Sequence, residues 1–186
     1  AVNRPVAVLQ GGIHAGEIEG KDAGFLFLRD LLDGKVAPGA LRALTVVFIP
    51  VLNVDGHERF SLNNRPNQNG PRESGWRTTA LNLNLNRDYI KAEAPEMQSV
   101  LRYLTEWDPI VYADMHATDG AKFQHDIATL IQPTLAGPAK LRAEAVKLRD
   151  ELMQVLSRQG YLPLPVYPEF VTQDDPASGI REEVQP

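Results

Sequence analysis

The sequence has no cysteine. That rules out disulfides and thiolate-bound metals together, so a zinc ion here would have to rest on imidazole and carboxylate. There is no apolar run near the roughly 18 residues that a membrane-crossing helix requires, and no span is expected. A basic cluster is missing as well: 19 Lys and Arg lie scattered among 24 Asp and Glu, for a net charge of -5. Such a surface offers no stripe to a phosphate backbone, which argues against a nucleic-acid partner. Internal repeats and low-complexity tracts are absent too. No charged leader precedes the first apolar stretch, and the polar close from Gly179 to Pro186 completes no element. The two ends together lead us to expect a single domain over 1–186, truncated at both of them.

What is present is an ordinary globular balance. Hydrophobic residues make up 43% and charged residues 23% of 186 positions, enough for one domain with a real core. Pro5 to Gln10 reads as a short buried strand, ended by Gly11-Gly12. Glu19 to Leu32 reads as a helix, with Ala23, Phe25, Leu26, Leu28, Leu31 and Leu32 as its apolar positions and Gly34 as a stop. Leu44 to Val51 is mostly β-branched or aromatic, the pattern of a strand buried on both faces.

From Asn53 to about Leu81 the periodicity dissolves into turn chemistry, densest over Asn63 to Pro71. Loops that long are usually functional, and this one carries Trp76 and Arg77. Pro95 to Trp107 reads as a helix with Met97, Val100, Leu101 and Leu104 on one face. Pro109 to Met115 is a strand running into His116, Pro138 to Gln159 a long amphipathic helix, and Tyr161 to Phe170 an extended, proline-punctuated segment. Alternating strands and helices predict an α/β domain around a central, mixed, largely buried sheet flanked by helices. His14, Asn53 and His116 each fall just past a predicted strand, where the functional residues of such sheets gather.

His14 and Glu17 form an H-x-x-E pair. Taken alone, the pair suits a surface turn equally well, with Glu17 favourable at the N-terminus of the next helix. Gly11, Gly12 and Gly16 allow a tight turn that would bring both side chains to one side of the strand end. His116 arrives on an independent apolar strand, where a polar side chain needs a partner. Two imidazoles and one carboxylate are a known catalytic zinc set with a position left for water or substrate, although the same donors also suit manganese or cobalt.

At this point the chain resembles the zinc carboxypeptidases of the M14 family. GGIHAGE (11–17) resembles the family's first zinc motif, and LNVDGHERF (52–60) its Asn-Pro-Asp-Gly segment with Val54 in place of proline. GWRTTALNLNLNRDY (75–89) resembles the stretch that holds an arginine after tryptophan and then an Asn-Arg pair. ADMHAT (113–118) resembles the strand end with the third ligand, and MHATDGAKFQHDIATL suggests a bacterial branch.

The resemblance implies a zinc-carboxypeptidase-like, incomplete domain in which His14, Glu17 and His116 bind one zinc ion. Arg77 would face the oxygen of the scissile carbonyl, and Asn86 and Arg87 would grip the free C-terminal carboxylate of a peptide substrate. A planar guanidinium fork suits a carboxylate in a way lysine cannot copy. Read without the resemblance, Arg77 is a loop arginine in a surface ion pair, and Asn86-Arg87 a turn salt-bridged to an acid such as Asp88.

The chain departs from the family at three places. Asn84 stands where an acidic residue commonly supports a zinc histidine, so that carboxylate is expected either to be absent or to be supplied elsewhere, with Asp88 and Asp114 as candidates. Gly16 stands where many relatives carry a substrate-binding arginine. The general-base glutamate is not recognisable in Glu169, Glu182 or Glu183 and is expected beyond Pro186. Two alternatives stay open: a zinc amidohydrolase of the aspartoacylase or succinylglutamate desuccinylase kind, and a non-catalytic metal- or peptide-binding domain. Periplasmic or extracellular placement is suggested by the resemblance alone. His57 is expected to be a solvated loop residue, and His125 a candidate for the cleft.

Overall fold

A computed structural model describes residues 4–66, 68, 71–118, 120–172 and 175–182. The chain divides into two compact units, Ala1–Gly120 and Ala121–Pro186, which are described in turn.

The first unit is built on three parallel strands, β1 (Val6–Gly11), β2 (Thr45–Ile49) and β3 (Val111–Met115), in the order β2-β1-β3. β1 is central, with Gln10 opposite both Ile49 and Asp114. The chain leaves β1 through helix α1 (Glu19–Leu32) and the short α2 (Ala40–Ala43) to reach β2. It then passes α3 (Val54–Glu58), a 3-10 turn (Leu85–Arg87) and α4 (Pro95–Trp107) to reach β3 on the other side of β1. The order reverses about β1, and in open α/β sheets such a reversal opens a crevice beyond the carboxyl ends of the strands. His14, Asn53 and His116 all follow those ends.

Alternation along each strand assigns the two faces. Phe48 and Met115 face α1, where Gly24 and Gly20 leave no room for a Cβ beside them. Ile49, Gln10, Tyr112 and Asp114 therefore belong to the opposite face, where α4 brings Val100 and Tyr103 beside Ile49 and Leu52. The core of that side joins Ile13, Leu85, Ala94, Met97 and Val100, with Leu101 and Leu104 packed against it.

The α/β class, α1 and α4 agree with the sequence reading, but three details differ. Every pairing in the described three-stranded sheet is parallel. β2, expected to be buried on both faces, is half-buried throughout because it is an edge strand there. The apolar face expected for α1 is also rotated. Phe25, Leu26 and Leu32 are exposed, while Gly20, Gly24 and Leu31 are buried. Bare glycine backbone is what lets this helix lie close to the sheet, so glycine rather than leucine selects the buried stripe.

The second unit carries α5 (Ala139–Arg158), a parallel pair β4 (Ile127–Ala128) and β5 (Pro163–Leu164), and an antiparallel pair β6 (Pro168–Phe170) and β7 (Ile180–Glu182). Phe123 stacks at a tilt on Phe170 with ring centroids 4.8 Å apart. Glu169, one of the glutamates considered for a catalytic role, accepts from Arg181 Nε at 2.6 Å across β6 and β7. Glu183 lies outside the described residues.

Candidate metal centre

The turn after β1 begins with Gly12 at φ +62, a left-handed conformation in which a Cβ would also sit 3.0 Å from Val51 Cα. Asn53 N–H donates to Gly12 O at 3.0 Å, so the exit of β2 is tied to the same turn. Glu17 N–H closes back on His14 O at 3.0 Å, folding the H-x-x-E segment so that both side chains face one point. His14 and Glu17 are almost fully buried, and His116 is reached from the end of β3.

The Glu17 carboxylate is the hub. Oε1 lies 2.9 Å from His14 Nδ1, and Oε2 lies 3.1 Å from His116 Nδ1. Ala117 N–H donates to Oε2 at 3.0 Å. The two imidazoles meet edge to face with centroids 5.0 Å apart. One ligand atom from each of His14, Glu17 and His116 can be chosen so that all lie within 4.8 Å of one another. These three residues, separated along the chain, are therefore brought together as expected.

The outer ring nitrogens show which inner ones are available. His14 Nε2 donates to Asn84 Oδ1 at 3.3 Å, and that oxygen also accepts from Asn86 N–H at 3.1 Å. An atom receiving a backbone N–H must be the amide oxygen, so Nε2 carries a proton there and Nδ1 is the nitrogen turned inward to Glu17. His116 Nε2 contacts Asp114 Oδ2 at 3.2 Å, which turns its Nδ1 inward in the same way. Imidazoles held from behind at one nitrogen, with the other turned toward a shared carboxylate, can exchange that inner proton for a metal ion. The donor set thus fits a divalent cation.

Of the two acids expected behind the histidines, Asp114 takes that place and Asp88 does not. Asp88 is buried at the start of α4, where its oxygens accept from Glu93 N–H at 3.0 Å and Ala94 N–H at 2.8 Å. Nor does Arg87 pair with it: Arg87 is exposed and its Nη1 donates to Asn86 O at 2.9 Å.

Electrostatics agree with this geometry. Burial alone would raise the Glu17 pKa, but hydrogen bonds from His116, His14 and Ala117 outweigh it and hold the carboxyl well below the usual range. Burial alone would lower the His116 pKa, yet its bonds to Asp114 and Glu17 raise it to about 9.

Two arginines reach the same carboxylate. Arg77 Nη1 lies 3.6 Å from Glu17 Oε1. Its backbone is fixed by Asn53, whose Nδ2 donates to Arg77 O at 3.2 Å while its Oδ1 accepts from Gly56 N–H at 3.0 Å. The Asn-x-Asp-Gly segment thereby anchors the Trp76-Arg77 segment, and Arg59 lies 5.0 Å over the Trp76 ring. The other arginine, Arg65, was not anticipated. It is buried, and its Nη2 donates to Glu17 Oε1 at 2.9 Å. It crosses directly over Gly16, where a Cβ would come within 2.8 Å of Arg65 Cγ. A lone arginine among turn residues carries no sequence signal of burial; the adjacent cue was the glycine at 16. His57 sits on α3, with its Nε2 3.4 Å from Lys21 Nζ and its Nδ1 3.1 Å from Glu58 Oε1.

Residues 1–133 match peptidase M14, the zinc carboxypeptidase family. The chain belongs to that family. Solved structures agree at the level of fold. A candidate carboxypeptidase A from Shewanella denitrificans OS-217 is 18% identical, with a TM-score of 0.64 over 93% of this chain and 42% of its own. A metallo-carboxypeptidase from Burkholderia cenocepacia is 18% identical, with a TM-score of 0.61 over 90% and 42%. A Pseudomonas aeruginosa metallo-carboxypeptidase in complex with (2-guanidinoethylmercapto)succinic acid is 18% identical, with a TM-score of 0.56 over 83% and 38%. This M14 chain therefore spans about two fifths of the length of the structures it resembles. No protein of curated function matches it. No helix among the described residues is long and apolar enough to cross a membrane.

Proposed function

We propose that the protein is a zinc-dependent carboxypeptidase that cleaves the last peptide bond of substrates bearing a free C-terminal carboxylate. The observation that carries the reading is the meeting of His14 Nδ1, His116 Nδ1 and the Glu17 carboxylate, with Arg77 beside them. His14, Glu17 and His116 would hold a single zinc ion, which when bound supplies a Lewis acid and an acidified water. Arg77, half-buried at the rim of the cluster, would lie near the scissile carbonyl and favour the negative charge that grows on its oxygen. Asn86 and Arg87 would take the substrate's terminal carboxylate. They follow Asn84, which is bonded to both His14 and the Asn86 N–H, and that tie between their turn and His14 supports the assignment. A relative with a succinic acid derivative in its complex is in keeping with a carboxylate-binding site.

In this reading the reaction also needs a general base, a role given to none of Glu169, Glu182 and Glu183. A protein lacking such a base is expected to turn over about 10²–10⁴-fold more slowly. The test is steady-state hydrolysis by the zinc-loaded full-length protein. N-blocked dipeptides with a free carboxylate should be cleaved, and their C-terminal amides should not. Arg87→Ala should raise KM more than it lowers kcat. Equal turnover of the amides would defeat the carboxypeptidase reading, and preferential cleavage of N-acyl amino acids would replace it with a deacylase.

A further inference from the structure

Behind His116 runs a series of polar side chains, Gln10 buried and the others half-buried, that the chemistry so far leaves unused. Asp114 Oδ1 accepts from Gln10 Nε2 at 3.1 Å. Tyr112 O–H donates to Gln10 Oε1 at 2.7 Å. Tyr89 and Tyr112 hydroxyls lie 2.8 Å apart, and Tyr89 O–H is also 3.5 Å from Asp114 Oδ2. The four side chains therefore stand in a ring of contacts that reaches His116 Nε2 through Asp114.

The sheet accounts for the placement. Gln10 and Asp114 are register partners on neighbouring strands, and Tyr112 lies two residues before Asp114, so all three project from one face. Tyr89 comes in from the segment after the 3-10 turn, two residues past Arg87.

The ring has one consistent direction. A tyrosine hydroxyl holds a single proton. Tyr112 spends its proton on Gln10 Oε1, so the short contact to Tyr89 requires Tyr89 to be the donor there. Gln10 must then present Nε2 to Asp114, because the flipped amide would set its oxygen against a carboxylate and its NH₂ against a donor. The order is Tyr89 to Tyr112 to Gln10 to Asp114, the Tyr89 proton going to Tyr112 at 2.8 Å rather than to Asp114 at 3.5 Å, with His116 donating to Asp114 from the other end. Donors aligned head to tail strengthen one another. Burial and the Asp114 charge push the Tyr89 pKa up to about 12, and burial with Tyr89 beside it pushes Tyr112 higher, so both stay donors at working pH.

We infer that Tyr89, Tyr112 and Gln10 are positioning residues that lock the Asp114 carboxylate and, through it, the ring orientation of His116. The inference rests on the metal-centre reading for its functional consequence, though its geometric content does not need a metal. Removing the Tyr112 hydroxyl leaves Gln10 Oε1 without its donor and lets the amide turn over. Asp114 then swings, and the inward aim of His116 Nδ1 loosens.

The experiment compares Tyr112→Phe and Tyr89→Phe in the full-length protein with Tyr103→Phe, a buried hydroxyl outside the ring. Zinc affinity is read by competition with a chromogenic chelator, and the His116 Nε2–H proton by its downfield NMR resonance in zinc-free protein. Outer supports of metal histidines are worth about 10–100-fold in affinity. Tyr112→Phe should weaken zinc by about tenfold and Tyr89→Phe by about threefold, as more distant members of such a support. Both should shift the Nε2–H resonance upfield and speed its exchange, with Tyr103→Phe leaving both readouts unchanged. Thermal melting identifies a variant that has merely unfolded, and in that case Gln10→Glu, which preserves shape but reverses one donor, takes its place. Unchanged resonance and affinity in both ring variants would overturn the inference. If the parent binds no zinc, the metal reading fails by itself, while the resonance still decides whether the ring holds His116.

Discussion

Replacing Arg65 with alanine tests whether the buried carboxylate of Glu17 depends on a counter-charge from the long loop. Arg65 Nη2 lies 2.9 Å from Glu17 Oε1, and the two side chains are 5% and 3% exposed, so solvent cannot substitute for the lost partner. A buried ion pair broken on one side commonly costs about 3–5 kcal/mol. Glu17 would keep His14, His116 and the Ala117 N–H, which places the loss nearer the value for a hydrogen bond to a charged group, about 2 kcal/mol. For a chain of this size that corresponds to a fall in Tm of about 4–8 °C. Zinc beside the carboxylate supplies positive charge of its own, so the deficit should shrink when the metal is present. Calorimetric melting of parent and Arg65→Ala, in chelator and then in excess zinc, reads both effects. Arg65→Lys should fall between them, because it restores charge without the planar fork. Melting of Arg65→Ala within about 1 °C of the parent in chelator would refute the reasoning, as would a deficit that zinc does not change.

Other outcomes follow from the same geometry. Gly16→Ala brings a Cβ to 2.8 Å from Arg65 Cγ and 3.0 Å from Gly75 O; because the second neighbour is backbone, a loss of about 1–3 kcal/mol is expected in denaturant titration. His116→Ala should weaken zinc by more than about 100-fold in chelator competition, beyond what loss of a mere supporting group costs. Zinc needs the neutral His116 ring, whose pKa is raised to about 9, so affinity should climb about tenfold per pH unit from neutrality and level off above that value. In zinc-free protein the sign is opposite. The stability contributed by the raised His116 pKa is complete below the ordinary value of 6.5 and is lost as pH rises through about 9, readable as a falling Tm. Asp88→Ala removes the acceptor for two backbone N–H groups at the start of α4 and should cost about 1–2 kcal/mol, with no change in zinc affinity.

The parts of the fold that follow from local pattern were legible in the sequence. α1 and α4 have the bounds their composition suggests, because acidic residues in both first turns, proline at the start of α4 and apolar spacing act within a few residues. The meeting of His14, Glu17 and His116 was legible because each follows a strand end, and parallel strands put those ends side by side. What escaped was decided by distant neighbours. Phe25 and Leu26 look like core on a helical wheel, but the sheet accepts α1 through Gly20 and Gly24. Asp88 and Asp114 looked equivalent as supports for a histidine. Only the pairing of Asp114 with Gln10 on β1, and the position of Asp88 beneath α4, separate them. Arg65 was invisible because nothing in a run of turn residues says which one folds inward.

Asn84 makes the two imidazoles electronically unequal. An anion behind a ring draws its far proton away and pushes electron density toward the metal, whereas a neutral amide does so only weakly. As metal donors, His116 would therefore be the stronger and His14 the weaker. An ion held between them would carry less donated charge than with acids behind both rings. Such a cation would be easier to extract and, while it stayed, a stronger electrophile.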